Sequence, residues 1–212
     1  MESLLGLLAL YRVKKDEIER RLTEFRRSGT QDDREIFAEL CFCILTPQSK
    51  AEMCDGIIQT LKRKGLLWTA DAEELAPFLK KTRFYKTKSR YLVEARRLFQ
   101  KNGSMKIRDK LHPEDVSATR EWFVQNVKGI GYKEASHFLR NIGLGEEIAI
   151  LDRHVLRALK RLGVLRRLPV SLTKRQYLGI EQKVKRFADR ISIPLSHLDL
   201  LFWSAEANRI FK

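Results

Sequence analysis

Nowhere in its 212 residues does this chain hold an apolar run approaching the ~20 residues that crossing a bilayer takes. Glycine and proline are few, 11 and 5, which excludes a collagen-like or low-complexity chain. The start, MESLLGLLALYRVKK, carries an acid where a signal peptide wants a base, and it offers no small-residue cleavage site. Cysteine is scarce as well. Cys41, Cys43 and Cys54 fall in one short stretch, and an odd count without a secretory signal speaks against a disulfide framework. No further Cys or His lies close by in sequence to complete a zinc or iron–sulfur site. The three read as buried apolar thiols, and no metal is indicated. The expectation is a soluble, intracellular protein.

Acidic residues are outnumbered, 27 Asp and Glu against 42 Lys and Arg, for a net charge of +15. Such a field attracts polyanions and speeds their encounter, with nucleic acid the leading candidate. A membrane surface is the competitor, but the bases are spread along the chain rather than gathered in one amphipathic segment. Charge alone identifies no enzyme. The hydrophobic share, 43%, suffices for a packed core in one domain or two small ones.

The hydrophobic period is helical nearly throughout, which predicts an all-α fold of roughly ten to twelve helices. Ile18, Leu22 and Phe25 recur at helical spacing up to a stop at Ser28-Gly29. A second helix starts near Asp32-Asp33, carries Ile36, Phe37, Leu40 and Ile44 inward, and ends at Thr46-Pro47. Ser49 is the expected cap of the next, with Gly65 just past its end. Asp71 to Glu74 and Thr173 to Gln176 have the form of capping boxes. Further helices are expected from Lys86 to Gln100, from Ser117 toward Val127, from Tyr132 to Asn141, from Asp152 to Leu162, and from Ser196 or His197 toward Asn208. Ile148–Leu151 is the one strand-like run, too isolated to pair.

Chemistry is concentrated around Val127-Lys-Gly-Ile-Gly131. Two glycines one residue apart let the backbone turn sharply and leave N–H groups free at the start of the following helix, where a phosphate can bind. An ordinary turn between helices would look the same. Lys133 stands in the first turn of that helix, where the dipole disfavours a cation and pushes the amine toward its neutral, nucleophilic form. A phosphate-contacting or solvated lysine is the plainer reading. Asp152 follows the apolar run and precedes a helix, so it reads as an N-cap whose carboxylate is rigidly held, a role compatible with catalysis. His154 lies near the same helix start and either reaches a phosphate or sits on the surface. His137, one turn after Lys133, reads as a core or hydrogen-bonding residue.

Lys128-Gly-Ile-Gly-Tyr-Lys133 followed by Ile150-Leu-Asp-Arg-His154 resembles the helix-hairpin-helix, Gly/Pro-Asp superfamily of DNA glycosylases. Phe42-Cys-Ile-Leu-Thr46, Arg83-Phe-Tyr85, Lys133 to Asn141 and Ile210-Phe-Lys212 extend the likeness, over essentially the whole chain, to the type-2 8-oxoguanine DNA glycosylase/AP lyases. One departure is Leu151, where the family usually has Pro or Val before the Asp; it is expected to alter loop shape and not chemistry.

The resemblance implies two helical subdomains flanking a DNA-binding cleft. One is a helical barrel over 32–145, ending in the helix-hairpin-helix at about 117–141; the other joins 1–31 to 146–212. It implies that Lys133 attacks C1′ of the damaged nucleotide and that Asp152 stabilises the charge developing on the sugar. Gly129 and Gly131 would present donors to a phosphate, and a monovalent cation bridging hairpin carbonyls is the only cofactor it allows. His154 would contact the strand near the lesion, and Gln48 would insert into the duplex gap. Lys212, Trp203 and Phe84 would read the extruded base or its vacated place; outside the resemblance Lys212 is a frayed tail, Gln48 a polar loop residue, and the two aromatics core. The implied partner is double-stranded DNA containing 8-oxoguanine, met by a monomer in the cytoplasm at the nucleoid, with no membrane. Two alternatives stand beside this reading: an oxidised-pyrimidine glycosylase of the endonuclease III type, and a non-catalytic helix-hairpin-helix module. The former typically carries four C-terminal cysteines, and none follows Cys54.

Overall fold

The chain is described by a computed structural model covering residues 3–207 and 210–212. The described residues include eleven α-helices, one two-stranded hairpin and a 3-10 turn at Arg108–Lys110: α1 (Leu4–Thr30), α2 (Asp33–Leu45), α3 (Ala51–Arg63), α4 (Leu66–Thr69), α5 (Ala72–Leu79), α6 (Tyr85–Phe99), β1 (Gln100–Lys101), β2 (Ser104–Met105), α7 (Val116–Asn126), α8 (Tyr132–Asn141), α9 (Arg153–Arg161), α10 (Lys174–Ile191) and α11 (Leu195–Ala207). The chain divides into two compact units, Ser28–Phe138 and Met1–Arg27 with Leu139–Lys212.

Local signals set most helix starts. Asp32, Asp71, Asp152 and Thr173 each accept a main-chain N–H at an N-terminus, and Asp71 with Glu74 and Thr173 with Gln176 complete capping boxes. Several expectations are corrected. The first helix does not stop at Ser28-Gly29 but runs to Thr30. Ser49 does not cap α3: Lys50 takes that place without a side-chain bond, because the Ser49 hydroxyl is engaged elsewhere. Asp115, not a residue at 117, caps α7 through the Ala118 N–H. The last helix begins at Leu195, directly after Pro194, and Asn208, toward which it was expected to run, lies outside the described residues.

In the unit 28–138, α2 is buried over nearly all its surface, as a central helix must be. Its Phe37 meets Phe99 edge-on at 6.2 Å, Phe99 stacks on Phe123 at 5.8 Å, and Phe123 is tilted on Phe138 at 5.0 Å. The short α4 is held by a long-range bond: the buried Arg96 guanidinium of α6 donates to the carbonyls of Leu67 (3.2 Å) and Ala70 (2.8 Å). All three cysteines are buried, in keeping with their reading as core thiols. Burial pushes the Cys54 thiol up to about 11, and its Sγ lies 3.3 Å from the Leu45 carbonyl. In the other unit, α11 packs on α9 and α10, and α1 buries Leu7, Ile18, Leu22 and Phe25. No helix among the described residues is long and apolar enough to cross a membrane.

Candidate active site

In the unit 28–138 the site begins with a tight turn. The Ile130 N–H donates back to the Val127 carbonyl (3.3 Å), and the Ile130 side chain is buried beneath. Gly129 has φ +84°, and a Cβ there would meet Tyr91 Cδ2 at 2.5 Å, so both backbone and packing demand glycine. Gly131 has no positive φ, and its N–H is not uncovered as expected: it donates to Glu134 Oε2 at 3.3 Å, the reciprocal half of a capping box. A phosphate arriving at this helix start would have to compete with that carboxylate.

Lys133 then projects from the first turn of α8 with its side chain 26% exposed and Nζ 3.7 Å from Glu134 Oε1. The preceding Tyr132 donates its hydroxyl to Glu121, and the Arg120 guanidinium lies 5.5 Å from the Tyr132 ring centroid. Arg120 is itself buried and reaches Ser136 Oγ at 3.2 Å, so two side chains of α7, Arg120 and Glu121, brace Tyr132 and Ser136 on α8 next to Lys133. No local sequence signal marks this brace, whose members are 11 to 16 residues apart. His137 is buried with its ring edge-on to Phe42 at 5.6 Å, the core role expected of it. Gln48 and Phe84 lie in the same unit, both exposed and both in the left-handed region, with φ of 56° and 59°.

Asp152 and His154 belong to the other unit. Asp152 accepts the Val155 N–H at 2.8 Å and is partly buried, while His154 is exposed on the first turn of α9. Ile148–Leu151 is not a strand but a buried run outside any helix, and two side chains of α10 bond its backbone. The Tyr177 hydroxyl donates to the Ala149 carbonyl (2.6 Å) and accepts the Leu151 N–H (3.2 Å), and Glu181 accepts the Ala149 N–H (2.8 Å). Asp152 therefore stands at the end of a fixed rod. Tyr177→Phe strands a buried carbonyl and a buried N–H, a cost of about 1–3 kcal/mol. In a chain of this size the melting temperature should fall by roughly 2–4 °C per kcal/mol. A thermal melt checks it, and an unchanged midpoint would show that the hydroxyl does not support the run.

Near Asp152, burial pushes the Asp199 carboxyl up, the Arg140 guanidinium 3.4 Å away pulls it down, and the charge of Asp152 raises it further. Trp203 is partly buried on α11. The segment 210–212 is anchored to α1: Ile210 is buried, and its N–H donates to Glu17 Oε1 at 3.4 Å. A hydrogen bond from Lys14 holds the Glu17 carboxyl below the usual carboxylate range. Lys212 is partly buried, not a solvated tail.

A glycine hairpin running into a lysine-bearing helix, with a capped aspartate at a second helix start, marks a helix-hairpin-helix DNA glycosylase architecture. A solved structure of endonuclease III trapped covalently on DNA shares the fold, at 20% identity over 89% of this chain and 85% of that one (TM-score 0.57). Residues 18–193 match the family described as 8-oxoguanine DNA glycosylase. The 8-oxoguanine DNA glycosylase/AP lyase of Fusobacterium nucleatum is 46% identical over 207 residues, 96% of this chain and 94% of that protein. The Methanocaldococcus jannaschii 8-oxoguanine glycosylase/lyase, solved in complex with a 15mer DNA containing 8-oxoguanine, superimposes with TM-score 0.88 at 36% identity, covering 99% of this chain and all of that one. The chain belongs to the 8-oxoguanine DNA glycosylase family.

Proposed function

We propose that this protein excises 8-oxoguanine from double-stranded DNA and then cleaves the abasic strand by β-elimination, with Lys133 as nucleophile and Asp152 as the stabilising carboxylate. The observation that carries the reading is the joint one of family membership over nearly the full chain and a lysine held partly buried directly after the Gly129 turn.

A base inside a duplex shields its glycosidic bond, so the nucleotide must first be extruded. The +15 charge supplies sequence-independent attraction for phosphates, which falls steeply with salt. Lys133 Nζ, having lost a proton, attacks C1′, and the bond from C1′ to the base breaks, the base leaving with the electron pair. Asp152, fixed by the Val155 N–H, stabilises positive charge on the sugar as that bond breaks. Ring opening gives the Schiff base; loss of a C2′ proton then expels the 3′ phosphate. Gly129, His154 and, once Glu134 yields its N–H, Gly131 contact the backbone, Gln48 enters the gap, and Lys212, Trp203 and Phe84 face the base or its vacated place. A monovalent cation at the hairpin would be held by main-chain carbonyls such as that of Val127, which accepts from Ile130 and keeps a second lone pair. It would add positive charge for a phosphate. The protein acts as a monomer in the cytoplasm, at the nucleoid.

Guanine and 8-oxoguanine differ by a C8 carbonyl and a proton on N7, so discrimination needs placed polar groups. Single-turnover excision is the test, on duplexes carrying 8-oxoguanine or thymine glycol, with the whole chain and with Lys212 deleted. The 8-oxoguanine duplex should be strongly preferred, and the deletion should slow its release by at least about tenfold, the scale on which one lost polar contact acts. Preference for thymine glycol, together with indifference to the deletion, would move the protein to the oxidised-pyrimidine class.

A further inference from the structure

Gln48 and Phe84 share an unusual backbone state that bulky residues adopt only where surrounding structure enforces it. The turn at 46–49 closes through the Ser49 N–H on the Thr46 carbonyl (3.0 Å), with Pro47 and then Gln48 at its centre. Glycine or asparagine is the usual occupant of the Gln48 position in such a turn. Phe84, 55% exposed, occupies the corresponding strained place at the start of α6.

One buried side chain ties both together. Lys88, 4% exposed, donates its ammonium to the Leu45 carbonyl at 2.7 Å, the Pro47 carbonyl at 2.8 Å and the Ser49 hydroxyl at 3.0 Å. That accounts for all three of its donors. Ser49 Oγ in turn accepts the N–H of Arg83, next to Phe84, at 3.2 Å, and the Lys88 main-chain N–H donates to the Phe84 carbonyl at 2.9 Å. Its ammonium partners are carbonyls and a hydroxyl, so the buried charge is not there to neutralise a carboxylate. Burying it is costly unless its hydrogen bonds are needed. Burial lowers the Lys88 pKa, while the charge of Glu134 opposes that shift. Glu134, the neighbour of Lys133, thus acts on the same ammonium.

We propose that Lys88, acting through Ser49, is a positioning residue that locks the Gln48 and Phe84 loops in register, so that they meet the duplex as one preformed unit. The inference rests on the reading of Gln48 and Phe84 as DNA contacts. Preformed loops avoid the ordering cost of engaging the base stack. They matter when a nucleotide is extruded from a duplex, and they have no such task on a single strand that already carries an abasic site.

The test compares Lys88→Met and Ser49→Ala with Gln48→Ala and Phe84→Ala. Each is assayed for single-turnover excision from an 8-oxoguanine duplex and for nicking of a single-stranded oligonucleotide with a preformed abasic site. Lys88→Met should slow duplex excision by at least about tenfold, as small misplacements of positioning groups do, and leave single-strand nicking intact. Ser49→Ala should act in the same direction but less, and Lys88→Met combined with Gln48→Ala should fall little below Lys88→Met alone, because coupled residues are not additive. Normal duplex excision by Lys88→Met beside impaired Gln48→Ala or Phe84→Ala overturns the clasp, as does a parallel loss of both activities. If Gln48→Ala and Phe84→Ala both excise normally, the DNA-contact reading of the loops fails first, and the clasp with it. Should Lys88→Met not fold, Ser49→Ala decides: selective loss on the duplex supports the proposal, and equal rates to wild type on both substrates overturn it.

Discussion

Lys133→Gln is expected to lose both base excision and strand nicking on an 8-oxoguanine duplex while still binding it. Glutamine keeps most of the side chain's length but has no nucleophilic amine. Removing the nucleophile of a covalent mechanism costs at least about 10³-fold in the chemical step. Because Lys133 is one positive charge in a chain of net charge +15, duplex affinity should change little. The fold should also survive, since the residue's ion pair with Glu134, at 3.7 Å, is a long one. Single-turnover kinetics beside a binding isotherm separate the two effects. A variant that still excises would make Lys133 a phosphate contact or a solvated residue.

The second large effect belongs to Asp152, where two roles coincide and one substitution separates them. Asn caps a helix about as well as Asp, so Asp152→Asn should keep the bond to the Val155 N–H and melt close to wild type. It removes the negative charge, and the loss of one preorganised electrostatic group typically slows a reaction by about 10²–10³-fold. Asp152→Ala should lose the cap as well, about 1 kcal/mol of stability. If the Asn variant excises at nearly the wild-type rate, the carboxylate is a cap and nothing more.

What was readable in the sequence is what short range decides. The capping boxes at Asp71 and Thr173 and the caps at Asp32 and Asp152 each link residues three apart, so a linear reading finds them. The Gly129 turn and the start of α8 were legible for the same reason. What escaped is held by partners distant in the chain. Helix α4 depends on Arg96, 26 to 29 residues away. Ser49 looks like a cap locally, yet Lys88 and Arg83, 39 and 34 residues on, claim its hydroxyl. The rod before Asp152 reads as an isolated apolar run because Tyr177 and Glu181 satisfy it from 26 to 32 residues further on. The hairpin at Asn102-Gly103 leaves no such signal, because its strands are two residues each, too short for an alternating pattern to register.

The site shows the same division. Residue types at fixed spacing are enough to single out Lys133 and Asp152, the proposed nucleophile and stabilising carboxylate, since each sits at a helix start that announces itself. The groups packed on α8 around Lys133 could not be found that way. The Glu121–Tyr132–Arg120–Ser136 brace and the Glu134 carboxylate on the Gly131 N–H are products of packing and rotamer choice.

Everything proposed for the reaction depends on which amine holds the sugar, and that amine can be located directly. Borohydride reduction of the wild-type protein working on an 8-oxoguanine duplex, followed by proteolysis and tandem mass spectrometry, reports the modified residue. The mass of the reduced sugar remnant should lie on Lys133 alone. A remnant on Lys88, Lys128 or Lys212 with Lys133 unmodified, or no covalent product while excision proceeds, would contradict the account.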